Sequence, residues 1–269
     1  SMIQFKQRQK LMDKLRLLLI QPDLAWEDKA ENLACISALI EKRTQDADII
    51  VLPEMFSTGF SMRPVELAEG MTGKTIQWMK EKAQSTNSLL TGSLIIEDNG
   101  LYYNRFLAYS PQGLVAQYDK RHLFRMSGEE SSYQSGDQRI VFEWKGWRIL
   151  PQICYDLRFP VWIRNQNDYD LALFVANWPA PRRDVWRSLL IARAIENQAY
   201  VAGANRVGMD NKKIKHIGDS LIIHPKGNII QEIDSEQHGL LESSISLNEL
   251  SSFRKKFPAQ LDRDEFHIT

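Results

Sequence analysis

Short runs of Ile, Leu and Val alternate along this chain with longer stretches of helical periodicity, a rhythm that restricts it to layered sheets with helices packed against them. Leu17 to Ile20 precedes a helical pattern from about Trp26. Ile49 to Leu52 precedes another from about Lys74, and Leu89 to Ile96 follows it. The middle then turns to hairpin punctuation, with Asn99-Gly100 and Gln112-Gly113 separating Leu89–Glu97, Tyr102–Ser110 and Leu114–Asp119. Further strands are expected at Arg148–Ile153, Leu171–Ala176, Tyr200–Asn205, Ser220–His224 and Asn228–Ile233, with a long helix over Asp184–Asn197. The expected class is therefore α/β with antiparallel strands mixed in. No linker, repeat or low-complexity tract interrupts the series, so one domain over residues 12–269 is expected.

Residues 1–11 read as an extension ahead of that domain, in part foreign to the natural chain, because Met12 stands just before the first strand-like run. The start is basic and polar, without the apolar stretch and small-residue cleavage site of a secretory signal, which points to a cytoplasmic setting. The longest apolar runs are far shorter than a membrane span requires. Lys plus Arg and Asp plus Glu both count 34, so no basic field draws in nucleic acid, and a small-molecule partner is expected.

Only two cysteines occur, too few for a disulfide framework and without paired metal-ligand spacing. Cys35 falls in a stretch where Trp26, Ala30, Leu33, Ile36 and Ile40 recur at helical spacing, and reads as a small buried helix residue. Cys154 ends a strand-like run instead. Two other such runs end in reactive side chains, Ala47 to Pro53 in Glu54 and Leu114 to Tyr118 in Asp119-Lys120. Strand ends are where convergent functional groups collect in layered α/β folds. Taken singly, a Glu after Pro reads as a turn residue, a Lys as surface and a Cys as core.

Their order and context change that reading. Leu52-Pro53-Glu54-Met55-Phe56, Tyr118-Asp119-Lys120-Arg121-His122-Leu123-Phe124 and Ile153-Cys154-Tyr155-Asp156-Leu157-Arg158-Phe159-Pro160 resemble the three signature stretches of the nitrilase superfamily of carbon–nitrogen hydrolases. The resemblance runs from Leu17 through Asn177-Trp178-Pro179 and Arg193 to Gln198, as far as Asp219-Ser220 and Pro225 to Gly227. Within the superfamily, Cys-Tyr-Asp-Leu-Arg-Phe-Pro with Asn-Trp-Pro is most similar to the ω-amidase branch, which acts on 2-oxoglutaramate and related ω-amides.

The resemblance implies a four-layer α-β-β-α sandwich of two mixed sheets, homodimers paired through an outer helical layer, and a Glu54-Lys120-Cys154 triad needing neither metal nor organic cofactor. It implies Glu54 as base, and Lys120 with the Tyr155 backbone N–H as partners of the oxyanion. A second glutamate is expected after Lys120. Glu129, seven positions before Gly136, is preferred over Glu130. Arg158 is a candidate clamp for a substrate carboxylate, or else a structural ion-pair partner. Phe60 and Trp178 are candidate pocket walls. The same triad would serve a nitrile or N-carbamoyl hydrolase, and a non-catalytic binding protein on this fold is a third reading.

Three further features are weighed. The Ser/Gly-rich segment Ser127 to Asp137 reads as a solvated connection, although it is long enough to cover a site. His122 and His216 offer a Cys–His alternative, which the surroundings of Cys154 do not support. Arg182, Arg183 and Arg187 cluster where the Asp184–Asn197 helix begins, and without a Gly-rich loop they read as a solvated or ion-paired helix start.

Overall fold

A computed structural model of the chain describes residues 13–269; the expected extension at residues 1–11 lies outside them. Strands β1 (Lys14–Gln21), β2 (Ile49–Val51), β3 (Leu89–Asp98), β4 (Leu101–Ser110) and β5 (Gly113–Asp119) build one sheet with β14 (Gly239–Ser246), in the order β14-β1-β2-β3-β4-β5. A second sheet runs β13-β12-β9-β8-β7-β6, from β6 (Phe142–Trp144), β7 (Trp147–Ile153), β8 (Leu171–Ala176), β9 (Tyr200–Asn205), β12 (Leu221–Ile223) and β13 (Ile229–Glu232). A small ribbon of β10 (Val207–Met209) and β11 (Lys215–Ile217) stands apart from both. Both large sheets are mixed. The runs β1-β2-β3 and β7-β8-β9 are parallel, and antiparallel strands flank them.

Alternation along the strands makes the four layers. Leu17 and Leu19 of β1 share a core with Ile149, Leu171, Leu173 and Ala202 of the second sheet, so these faces meet. Their neighbours Leu18 and Ile20 point the other way, onto Ile36, Leu39, Ile76 and Met79 of helices α1 (Lys29–Glu41) and α3 (Lys74–Thr86), between which the chain makes the single turn α2 (Pro64–Leu67). On the far side, Leu150, Ala172 and Phe174 pack on Trp186, Leu190 and Ala194 of α6 (Arg183–Asn197). Strands covered on both faces read as unbroken apolar runs, which is why these were legible. The Asn99-Gly100 turn has both residues at positive φ, the conformation a two-residue hairpin demands.

Several expectations need correction. Helix α1 starts at Lys29 rather than near Trp26, because the Asp28 side chain accepts the Glu31 N–H at 3.0 Å and caps it there. Trp26 precedes the cap, and Ala30 is exposed. Cys35 is half-buried, not a core residue, with Sγ 3.9 Å from the Asp23 carbonyl oxygen. The segment Ser127 to Asp137 is no solvated connection. It contains a single turn, α4 (Glu129–Ser132), and buries Glu129, Tyr133 and Gly136. Gly136 lies against the end of β5: its N–H donates to the Lys120 carbonyl at 2.9 Å, and an added Cβ would sit 2.2 Å from the Asp119 oxygen.

Candidate active site

The site forms where the C-terminal ends of β2, β5, β7 and β8 converge between the two sheets. Glu54 follows β2, Lys120 follows β5, Cys154 follows β7 and Asn177 follows β8. Cys154 has φ +44°, a left-handed conformation unusual for a side chain with a Cβ, at the sharp passage from β7 into a 3-10 turn over Cys154–Arg158. Asp156 holds this passage. Its carboxylate accepts the Ile153 N–H at 3.0 Å, the Tyr118 hydroxyl at 2.8 Å and the His122 N–H at 3.0 Å. One buried carboxylate thus ties the Cys154 turn to the segment leaving β5. His122 Nδ1 lies 2.8 Å from the same Asp156, so this histidine serves Asp156 rather than forming a pair with the cysteine.

Beneath the turn lies a buried charge cluster. Lys120 Nζ donates to Glu54 Oε2 at 2.8 Å and to Glu129 Oε2 at 2.9 Å, and all three side chains are at most 1% exposed. Asn104 Nδ2, from the middle of β4, bonds Glu54 at 2.8 Å, and the Asn177 backbone N–H reaches the other Glu54 oxygen at 3.2 Å. Glu129 also accepts the Phe124 N–H at 2.6 Å. Its neighbour Glu130 is exposed and stands 3.7 Å from Arg125 instead. The structure therefore brings together Glu54, Lys120, Glu129 and Cys154.

Burial would by itself lower the Lys120 ammonium, but Glu129 and Glu54 outweigh it and hold the group above the ordinary lysine value. Burial raises Glu129, offset by Lys120 and reinforced by the neighbouring Glu54 charge. Burial, then Glu54, pushes the Cys154 thiol well above its ordinary value, against the pull of Lys120 and the Asn177 N–H. The surroundings therefore favour the thiol over the thiolate that an adjacent ammonium suggests in isolation. Two carboxylates outvote one ammonium.

Cys154 opens into a cavity of about 360 Å³ walled by Phe60, Trp178, Tyr155, Phe124 and Arg158 among others. Lys120 Nζ stands 5.1 Å from the Phe60 ring centre, and Arg158 stacks over Trp178 at 5.5 Å. No carboxylate among the described residues pairs with Arg158, so its structural ion-pair reading fails. Tyr155 is the second residue of the 3-10 turn, where the first N–H groups have no partner within the turn.

Asp156, Asn104 and Tyr133, whose hydroxyl donates to the Ser61 carbonyl at 2.6 Å, were not singled out from sequence. A lone Asn inside the apolar run of β4 was the available signal for Asn104. His216 lines the cavity from β11, and burial beside Arg206 lowers its pKa to about 4. An unfolded-chain imidazole protonates near pH 6.5, so stability from keeping His216 neutral is complete above roughly that pH and is lost as pH falls toward 4, about 3 kcal/mol in all. Urea melts of His216→Gln and wild type across this window test it. The variant should decline less steeply, and parallel declines would refute the assignment.

The sequence profile of the carbon-nitrogen hydrolase family matches residues 16–255. The chain belongs to that family. It is 49% identical to the ω-amidase YafV of Escherichia coli strain K12 over 257 residues, covering 96% of this chain and 100% of that one. It is 35% identical to the 2-oxoglutaramate amidase of Bacillus subtilis strain 168, covering 89% and 93% of the two chains. Among solved structures, the CN-hydrolase superfamily protein XC1258 of Xanthomonas campestris superposes with a TM-score of 0.93 at 42% identity, covering 96% of this chain and all of that one. The two-sheet sandwich expected from the signature stretches is thus the fold, and the protein is a hydrolase of carbon–nitrogen bonds.

Proposed function

We propose that this hydrolase cleaves the ω-amide of small 2-oxo dicarboxylate monoamides, 2-oxoglutaramate and 2-oxosuccinamate, to the dicarboxylate and ammonia. The observation that carries the reading is the Cys154 thiol set beside a buried Glu54–Lys120–Glu129 cluster, at the floor of a cavity whose wall bears the unpaired guanidinium of Arg158. The relatives named ω-amidase and 2-oxoglutaramate amidase support it.

Glu54 takes the thiol proton as Sγ attacks the amide carbon, which avoids a free thiolate in a site that disfavours one. Negative charge then grows on the carbonyl oxygen, where Lys120 and the Tyr155 N–H stabilise it in a water-poor pocket. Glu54 returns its proton to the departing nitrogen, ammonia leaves, and a thioester remains on Cys154. Water deprotonated by Glu54 attacks the thioester, and the acid and the protonated cysteine are released. Glu129 keeps Lys120 charged and in place throughout. Phe60 and Trp178 wall the substrate's short chain.

Ammonia release from 2-oxoglutaramate, 2-oxosuccinamate, glutamine, asparagine and a simple nitrile tests the reading. The two 2-oxo amides should be the best substrates; preference for the nitrile would favour the rival that shares this triad. Arg158→Ala should lower kcat/KM for 2-oxoglutaramate by roughly 30-fold, the low end for truncating a charged pair because Arg158 is exposed. Uncharged amides should lose far less, and Arg158→Lys should restore only part, lacking the two-pronged geometry. Equal losses on both substrate types would mean that Arg158 supports the Cys154 turn.

A cytoplasmic homodimer belongs to the same proposal. Both cysteines are free, and exposed apolar side chains at Val161 (59%) and Leu261 (81%) lie in the outer layer of α5 (Pro160–Ile163) and the C-terminal segment. Among the described residues no helix is long and apolar enough to cross a membrane.

A further inference from the structure

We propose that Arg182 joins Arg158 in a two-guanidinium clamp for the substrate's α-carboxylate, and so sets specificity in its own right; this rests on the reading of the site given above. Among the described arginines, Arg158 and Arg182 are the two whose guanidinium makes neither a hydrogen bond nor an ion pair with protein. Both line the catalytic cavity. The arginines beside Arg182 show the contrast, since Arg183 pairs with Asp219 at 2.8 Å and Arg187 with Glu232 at 2.6 Å.

Ring faces, not counter-ions, support the pair. Arg158 lies over Trp178 at 5.5 Å and Arg182 over Phe124 at 5.4 Å, while the Trp178 indole N–H donates to the Arg182 carbonyl at 2.8 Å. Phe124 in turn meets the ring of Tyr155, the residue after the nucleophile, at 5.1 Å. Each cation lies over a ring face and leaves its N–H donors unspent on protein, the arrangement suited to a carboxylate.

The acidic groups of the cavity wall are committed elsewhere. Glu27 accepts from the Ser61 hydroxyl at 2.7 Å and from Arg63 at 2.8 Å, and Asp210 accepts the Lys212 and Ile214 N–H groups at 2.9 Å. The exposed Lys212 adds a further positive charge at the wall. The floor, by contrast, carries two carboxylates against one ammonium. A ligand with one carboxylate and one amide is therefore drawn in by its charged end toward the arginines and repelled by that end from Glu54 and Glu129. The neutral amide is left to face Cys154, which is the orientation ω-amide cleavage requires.

The test uses protection of the thiol as well as turnover. Iodoacetamide, which is uncharged, alkylates Cys154 at a rate read by mass spectrometry, and added 2-oxoglutarate should slow it. In Arg182→Gln the 2-oxoglutarate concentration giving half-protection should rise about 10-fold, and in Arg158→Ala by a comparable factor, with the unprotected alkylation rate within about twofold of wild type. Arg182→Lys should fall between Gln and wild type. Unchanged half-protection in Arg182→Gln overturns the clamp. Poor turnover of 2-oxoglutaramate by wild type would instead refute the substrate reading, while protection still judges Arg182. An altered unprotected rate in Arg182→Gln would mean that Arg182 shapes the nucleophile turn, and would also overturn the proposal.

Discussion

Cys154→Ala should release no ammonia from 2-oxoglutaramate above the uncatalysed background and should melt within a few degrees of wild type. The nucleophile is lost, but the turn that carries it is held by other groups: the Asp156 carboxylate grips the Ile153 N–H, Tyr118 and His122 without using the sulfur. Cys154→Ser should behave the same way, because a hydroxyl with its far higher pKa is a poor nucleophile for a carboxylate base. Cys35→Ala should keep full activity, since its half-buried thiol hydrogen-bonds the Asp23 carbonyl and lies outside the catalytic cavity. Intact-mass measurement during slow turnover should find the acyl group on Cys154 alone. Wild-type turnover by Cys154→Ala would end the thioester mechanism.

Lys120→Met should reduce kcat by about 100-fold or more, as removal of an oxyanion partner does. It should also do something that loss of a surface lysine would not. The ammonium bridges Glu54 and Glu129 at 2.8 and 2.9 Å in a nearly dry site, and without it two buried carboxylates face each other uncompensated. Removing one member of such a cluster typically costs 3–5 kcal/mol, unless a carboxylate takes up a proton. Protonation relieves the repulsion, so the sign is definite: the variant's stability deficit should shrink as pH falls and widen as pH rises toward neutrality. Chemical denaturation of both proteins between pH 5 and 8 measures it, the pH limits being chosen roughly to bracket a raised carboxylate pKa. A rise in KM with kcat unchanged would make Lys120 a binding residue instead.

Much of the framework was legible because its strands are covered on both faces. Leu171–Ala176 and Tyr200–Asn205 match their strands residue for residue. What escaped was peripheral. β14 has a mixed burial pattern at the edge of its sheet, β10 and β11 are three residues each, and the last helix, α7 (Leu247–Lys256), buries little besides Leu250. Trp26 extended the helical pattern falsely, since spacing cannot tell an aromatic that lines a cavity from one that faces a core.

Within the site, Glu54, Lys120 and Cys154 each follow the end of a strand-like run, and their order and local context in the signature stretches singled them out. The polar composition of Ser127 to Asp137 concealed Glu129 and Tyr133, whose burial depends on Lys120 and Ser61 across the fold. Three arginines in a row of six residues looked alike, yet two meet Asp219 and Glu232 while Arg182, at the helix start, faces the cavity. The raised thiol is likewise invisible in a string of letters, as it follows from the balance of two carboxylates, one ammonium and exclusion of water. The sequence by itself determined the α/β layering, through the period of its apolar residues, and the nucleophile with its base and cation, through three stretches that resemble a known family's signatures. The tertiary structure alone decided which charges neutralise one another and which are left for a substrate, because that depends on distances of a few ångströms between residues tens of positions apart.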